Sequence, residues 1–218
     1  MKKIAVIVPP FTTVPPKGQG GTERVADQMI KGLVKKGYKT TLFGAGKYAG
    51  KGEYVQIFQK TISERNIDTA FIESSRALRI ESAYIARVMK EITERKFDLV
   101  FNHCRGGYLF LPLSQYLKTP VVSILHLPLF KEAADVFASY KKPNLVTISN
   151  SQRKGFPKIN YLATVYNGID LSEFPFSEKP GDYFLFMGAL GEHKNPKDAI
   201  KAAKKAGAKL ILAGGKKR

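Results

Sequence analysis

The sequence predicts an α/β protein built on a Rossmann-like, doubly wound parallel sheet. Short, near-continuous apolar runs recur along the chain, and helical stretches separate most of them. The clearest of those helices carries a single apolar stripe, as a helix packed on one face of a sheet does. Strands apolar on both faces belong to parallel sheets covered by helices on either side.

The first run, Ile4 to Val8, follows Lys2 and Lys3 and breaks at Pro9 and Pro10. It is too short for the apolar segment of a signal peptide and reads as a buried first strand. A helix follows from Thr22 to Gly37, because Val25, Ala26, Met29, Ile30, Leu33 and Val34 fall on one face. Thr22 is its expected N-cap and Gly37 its expected C′ residue. The second strand is Thr40 to Phe43. A long helix then spans Arg76 to Arg95, carrying Leu78, Ile80, Ile85, Val88, Met89 and Ile92. Further strands are predicted at Leu99–Phe101, Val121–Leu125, Leu145–Ile148 and Leu162–Val165.

After Asn167 the text changes to turn and extended chemistry, Asn-Gly-Ile-Asp followed by Phe-Pro-Phe-Ser-Glu-Lys-Pro-Gly. The expected organisation is therefore a first domain over 1–168, a linker over 169–182 and the start of a second domain over 183–218. The last part is a single β-α-β unit: strand Phe184–Met187, helix Pro196–Ala206 and strand Leu210–Leu212. Pro196 suits a first helical turn and Gly207 a helix end. One such unit cannot bury both faces of its sheet, so it is expected to belong to a longer chain, or to dock in a homodimer that covers the sheet.

Composition narrows the partners. With 36 Lys plus Arg against 18 Asp plus Glu, the formal net charge is +18. Such an excess favours polyanions, phosphorylated small molecules and anionic surfaces, although many of the lysines fall on outer helix faces. A nucleic-acid-binding role finds no recognition helix, zinc module or aromatic RNA-binding signature to support it. No apolar run approaches the roughly 18–20 residues that cross a bilayer. Peripheral contact through Tyr108–Leu113 or around Lys141 and Lys142 is weighed against a buried helix start at the first of these, which the pattern favours. The lone Cys104 excludes an internal disulfide and fits a small buried apolar group in a reducing, cytoplasmic compartment.

Two nucleotide signatures fail on spacing, and no metal-ligand pattern takes their place. Gly18-Gln19-Gly20-Gly21 comes about ten residues too late for a dinucleotide fingerprint, and Gly50-Lys51 lacks the flanking residues of a Walker loop. His103, His126 and His193 show no metal-ligand spacing. What remains is a glycine loop that opens a helix, where unpaired N–H groups and the helix dipole favour an anion.

Gly20-Gly21-Thr22-Glu23-Arg24-Val25 opens that helix, and Lys36-Gly37-Tyr38-Lys39 closes it. Asp98-Leu99-Val100-Phe101-Asn102-His103, Pro120-Val121-Val122-Ser123-Ile124-Leu125-His126 and Ile148-Ser149-Asn150-Ser151 follow. Then come Val165-Tyr166-Asn167-Gly168-Ile169-Asp170 and Phe186-Met187-Gly188 with His193-Lys194-Asn195. In this order, the landmarks resemble the group-1, or family 4, glycosyltransferases across nearly the whole chain.

The resemblance implies a GT-B architecture, with two Rossmann-like domains facing across a cleft. It implies retaining transfer of a sugar from a nucleoside-diphosphate donor to a glycan or lipid acceptor, with no bound metal and, for a lipid acceptor, peripheral contact at the inner face of the membrane. Residue by residue, Gly20 and Gly21 would lie by the donor phosphates, His126 would be the catalytic histidine at the donor sugar, and Lys194 would bind the diphosphate. His103 and Asn167 would line the cleft. The family usually has Arg where this chain has Ala189, and its Glu-x7-Glu segment is not found. These departures favour the alternative of a catalytically incompetent or split domain that binds an acceptor, a partner subunit or a membrane surface.

Overall fold

A computed structural model describes residues 1–65 and 71–215; the last three residues of the expected second domain lie outside the described residues, as does the side chain of His193. The chain divides into two compact units, Met1–Ile169 and Asp170–Arg218.

The first unit is one seven-stranded, all-parallel sheet. Its strands are β1 (Lys3–Ile7), β2 (Lys39–Ala45), β3 (Glu53–Phe58), β4 (Leu99–Asn102), β5 (Val121–Leu125), β6 (Leu145–Thr147) and β7 (Tyr161–Thr164). Their order is β3-β2-β1-β4-β5-β6-β7. The order reverses between β1 and β4, and in open sheets of this kind ligands bind beyond the carboxyl ends of the strands at such a reversal. Helix α1 (Gly21–Lys35) follows β1, and α2 (Phe71–Glu94) precedes β4. Short helices α3 (Leu111–Ser114), α4 (Lys131–Ala138) and α5 (Ser151–Lys154) fill the crossovers after β4, β5 and β6.

The alternation of β1 sorts the core into two layers. Ile4, Val6 and Val8 pack with Ala26 and Ile30 of α1, whereas Ala5 and Ile7 pack with Tyr84, Ile85 and Val88 of α2. Both faces are therefore covered, which is why β1 is apolar at every core position. Phe43, Tyr84, Phe110 and Phe137 are essentially inaccessible. Each such side chain contributes about 1.5–3 kcal/mol through the apolar area it removes from water. Tyr84 meets the cost of its buried hydroxyl by donating to the Phe43 carbonyl at 2.8 Å.

Three expectations are corrected. The strand β3 went unpredicted because it lies at the edge of the sheet. Among the described residues it pairs only with β2, and Tyr54 and Gln56 alternate with the apolar Val55 and Ile57, so no continuous apolar run marks it. The long helix starts at Phe71 rather than near Arg76. Thr22 lies inside the first turn of α1, and the N-cap is Gly20, without a side-chain hydrogen bond. Gly20 is needed there because a Cβ would stand 2.7 Å from Pro16 Cβ and 3.1 Å from Thr12 Cγ2. The far end of the helix is as expected: Gly37 has φ +83°, its N–H reaches Val34 and that of Tyr38 reaches Leu33. Within the Tyr108–Leu113 segment, Phe110 and Leu111 are buried.

The second unit is a β-α-β element: β8 (Phe184–Met187), α6 (Pro196–Lys205) and β9 (Leu210–Ala213), with β8 and β9 parallel. Asn195 caps α6 from a left-handed conformation, φ 53° and ψ 51°, and its amide donates to the Asp198 carboxylate at 2.6 Å. Pro196 takes the first helical turn, and Gly207 follows the helix with φ +61°. Phe184, Leu185 and Met187 are exposed on this two-stranded sheet.

Candidate functional site

The carboxyl edge of β4 and β5 builds the site. These strands pair in register with Asn102 opposite Ser123, and the Asn102 amide donates to the Ser123 hydroxyl at 3.3 Å. The Asn102 side-chain oxygen accepts the Cys104 N–H at 3.0 Å, and the His103 N–H donates to the Ile7 carbonyl at 2.9 Å. That fixes the turn after β4. The residue leaving β5 is His126. Behind it, Gln152 of α5 donates to the Leu125 carbonyl at 3.2 Å and accepts the Ile148 N–H at 2.8 Å, which ties the ends of β5 and β6 together.

His103 and His126 meet there. His103 Nδ1 and His126 Nε2 are 2.8 Å apart and share a hydrogen bond, with the rings stacked at 5.1 Å between centroids and 22° between planes. His103 is 1% exposed and His126 is partly buried. Burial pushes His103 down to about 3, assisted by the neighbouring His126, and burial lowers His126 to about 4. Both rings are neutral at physiological pH.

The pair lines a cavity of about 280 Å³ between the β4 and β5 loops and α2. Leu109, Leu127 and Phe130 form part of its wall and are themselves exposed; Glu81, Ser82 and Arg105 supply polar groups. Glu81 is buried, and its carboxyl is raised by burial, opposed by the Arg105 charge. The thiol of Cys104 is buried and pushed well above its ordinary range by burial, then by Glu81 and Glu23. This agrees with the expectation of a small buried group, now placed in the cavity wall.

Arg105 links this edge to the glycine loop. Its guanidinium lies 4.2 Å from the ring centroid of Phe11, in the loop between β1 and α1. Its charge also acts on Glu23 in the first turn of α1, a carboxyl raised by burial and lowered by its own backbone N–H and by Arg105. The start of α1 and the histidine pair therefore belong to one edge of the sheet, although Gly20 and Gly21 are not among the residues lining the cavity. A Cβ on Gly21 would meet nothing within 4 Å.

The remaining sequence-predicted residues fall elsewhere. Asn167 is exposed in the segment after β7 and is not part of the cavity lining. Lys194 belongs to the second unit, in a single turn just before α6. Its Cγ lies 4.0 Å from where a Cβ on Gly188 would stand, so its stem passes over the carboxyl end of β8. Among the described residues, no group of three or more His, Cys, Asp or Glu side chains is placed to hold a metal ion. Glu81, Glu23 and Arg105 were not singled out from the sequence. The first two carried a signal, since Glu81 shares a helical face with Ile85 and Val88, and Glu23 with Ala26 and Ile30.

A doubly wound, all-parallel sheet covered by helices on both faces is the Rossmann-like fold of GT-B glycosyltransferases. A family model described as Glycosyltransferase Family 4 matches residues 19–173, and the chain belongs to that family. Solved structures agree on the fold. AviGT4, a glycosyltransferase involved in avilamycin A biosynthesis, is 21% identical with a TM-score of 0.63 over 100% of this chain and 58% of its own. Sucrose-phosphate synthase from Thermosynechococcus elongatus is 12% identical, TM-score 0.64, over 99% of this chain and 63% of its own. Arabidopsis thaliana UGT89C1, solved with UDP, is 11% identical, TM-score 0.50, over 100% of this chain and 69% of its own. This chain thus spans about three fifths of the first two. No curated protein matches.

Proposed function

We propose that this chain is the acceptor-side part of a retaining glycosyltransferase that moves a sugar from a nucleoside-diphosphate donor to a glycan or lipid acceptor. The carrying observation is the histidine pair at the carboxyl edge of a family 4 sheet, beside the glycine-opened start of α1. His126 lines the cavity and is the catalytic residue, hydrogen-bonding the donor sugar. The acceptor occupies the cavity, and Asn167 borders the cleft. Gly20 and Gly21 let backbone approach the donor phosphates, and the open space at Gly21 suits that approach.

Departure of the nucleoside diphosphate develops charge, which this reading assigns to helix N-termini and basic side chains, Lys194 among them, without a bound metal. Lys194 stands beside the start of α6, where the dipole reinforces it. The UDP bound to UGT89C1 is consistent with a nucleotide donor for this chain. A cytoplasmic setting, with peripheral membrane contact when the acceptor is a lipid, completes the reading. No described helix is long and apolar enough to cross a membrane.

A second reading, a domain that binds its acceptor or a partner without turnover, is favoured by Ala189 after Gly188. The test offers a full-length transferase that contains this chain a panel of nucleoside-diphosphate sugars and acceptors and follows nucleoside diphosphate release. Acceptor-dependent release that His126→Ala lowers about 100-fold supports the transferase. Release unchanged by that substitution sinks the role of His126, and acceptor binding with no release under any donor selects the second reading.

A further inference from the structure

We propose that His103 is a positioning residue for His126, fixing its ring so that Nδ1–H, a hydrogen-bond donor, is the group presented to the cavity.

His103 Nδ1 and His126 Nε2 stand 2.8 Å apart, and both rings are neutral, so exactly one of the two facing nitrogens carries the proton. A neutral imidazole has one N–H. The two rings must therefore adopt the same tautomer. Either His103 Nδ1–H donates, and His126 is protonated on Nδ1, or His126 Nε2–H donates, and His103 is protonated on Nε2.

The far side of His103 decides between them. His103 Nε2 is buried and has no hydrogen-bond partner among the described residues. In the second arrangement that atom is a buried, unpaired N–H; in the first it is a bare lone pair. Orphaned buried N–H groups are the rarer and costlier kind, which selects the first. Free histidine leans toward Nε2–H, so Nδ1–H on both rings is a state that the pairing has to impose.

Geometry supplies the rest. The His103 ring is held by the turn that Asn102 fixes and by its own N–H on Ile7, and it stacks on His126. With Nε2 engaged, Nδ1 is the one nitrogen of His126 left for a ligand. A donor there suits a sugar hydroxyl or a carbonyl oxygen as the contacting group. This catalytic consequence rests on the proposed transferase function, whereas the tautomer does not.

Two-bond 15N–1H correlation spectra of the 15N-labelled chain read the tautomers directly. The ring signals of His103, His126 and His193 are assigned by single substitutions. The expected result is a protonated Nδ1 and a bare Nε2 on both His103 and His126, unchanged between pH 7.5 and 5.5. In His103→Leu, His126 should move to the Nε2–H-dominated mixture of free histidine. In His103→Asn, whose amide reaches the former place of Nδ1, the Nδ1–H form should return. Protonated Nε2 on His126 in the unsubstituted chain, or a His126 spectrum indifferent to His103→Leu, overturns the proposal. Matching tautomers in a chain that never transfers sugar would remove the function and leave the positioning role standing; transfer activity with mismatched tautomers would do the reverse.

Discussion

Acidification tests the histidine pair through stability. In the unfolded chain both histidines titrate near 6.5, whereas in the fold His103 lies at about 3 and His126 at about 4. Between those values the unfolded state binds more protons, so stability rises with pH there and is lost as pH falls below about 6.5. From pH 7 to pH 5 each ring accounts for a loss of about 2 kcal/mol. Glu23 and Glu81 act in the opposite sense, because raised carboxyls take up protons in the folded state first. The net slope of the native chain is therefore a sum of opposed terms, and a comparison isolates the histidine. His103→Leu removes one titrating ring and leaves both carboxyls in place. Urea unfolding followed by circular dichroism at pH 7, 6 and 5 should show the native protein losing about 2 kcal/mol more than the variant across that range. Parallel curves would mean that His103 is not held neutral by burial, and the electrostatic account of the site would fail.

The two glycines that open α1 should part company. Gly20→Ala drives a methyl against Pro16 and should cost about 1–3 kcal/mol in thermal or urea unfolding, whereas Gly21→Ala enters open space and should change stability by less than about 0.5 kcal/mol. If Gly21 faces the donor, the same mild substitution should weaken nucleotide-sugar binding in calorimetry. Tyr84→Phe removes the donor to the Phe43 carbonyl, which keeps the Val8 N–H at 3.2 Å, so unfolding should show a loss of about 1 kcal/mol or less. Gly214→Ala drives a Cβ into the Gly188 carbonyl oxygen; exchange protection of the β8 and β9 amides should collapse while that of β1 and β4 is kept.

What the sequence made legible follows from burial. Strand β5 was read at its observed ends because all five residues are covered on both faces; β1, read one residue late at each end, was legible because its two faces meet α1 and α2. Strand β3 was not, since an edge strand needs apolar side chains on one face only and has no fixed demand on the other. The histidines were each legible as strand-end residues. Their hydrogen bond was not, because it depends on β4 lying next to β5 in a particular register, a fact of topology that local pattern does not contain. Arg105 shows the same limit more sharply: it touches Phe11 and acts on Glu23 and Glu81, three positions scattered over seventy residues.

The charge of this site runs against that of the chain. Formal net charge is +18, yet each shifted group that lines the cavity moves toward its uncharged form: both histidines downward, Glu81 and Cys104 upward. Burial is the leading cause in all four. A cavity of that character orients by hydrogen bonds and apolar contact, and its main fixed charge is Arg105, itself engaged with Phe11. It is poorly equipped to neutralise a departing diphosphate. In the proposed reaction that task therefore falls outside the cavity, to the amides at the start of α1 and to basic groups such as Lys194 beside α6. The expected signature is a division of labour in kinetics. Lys194→Ala should depress turnover more for donors with poor leaving groups, whereas His126→Ala should depress it for all donors alike; a leaving-group dependence that follows His126 instead would contradict this assignment of charge.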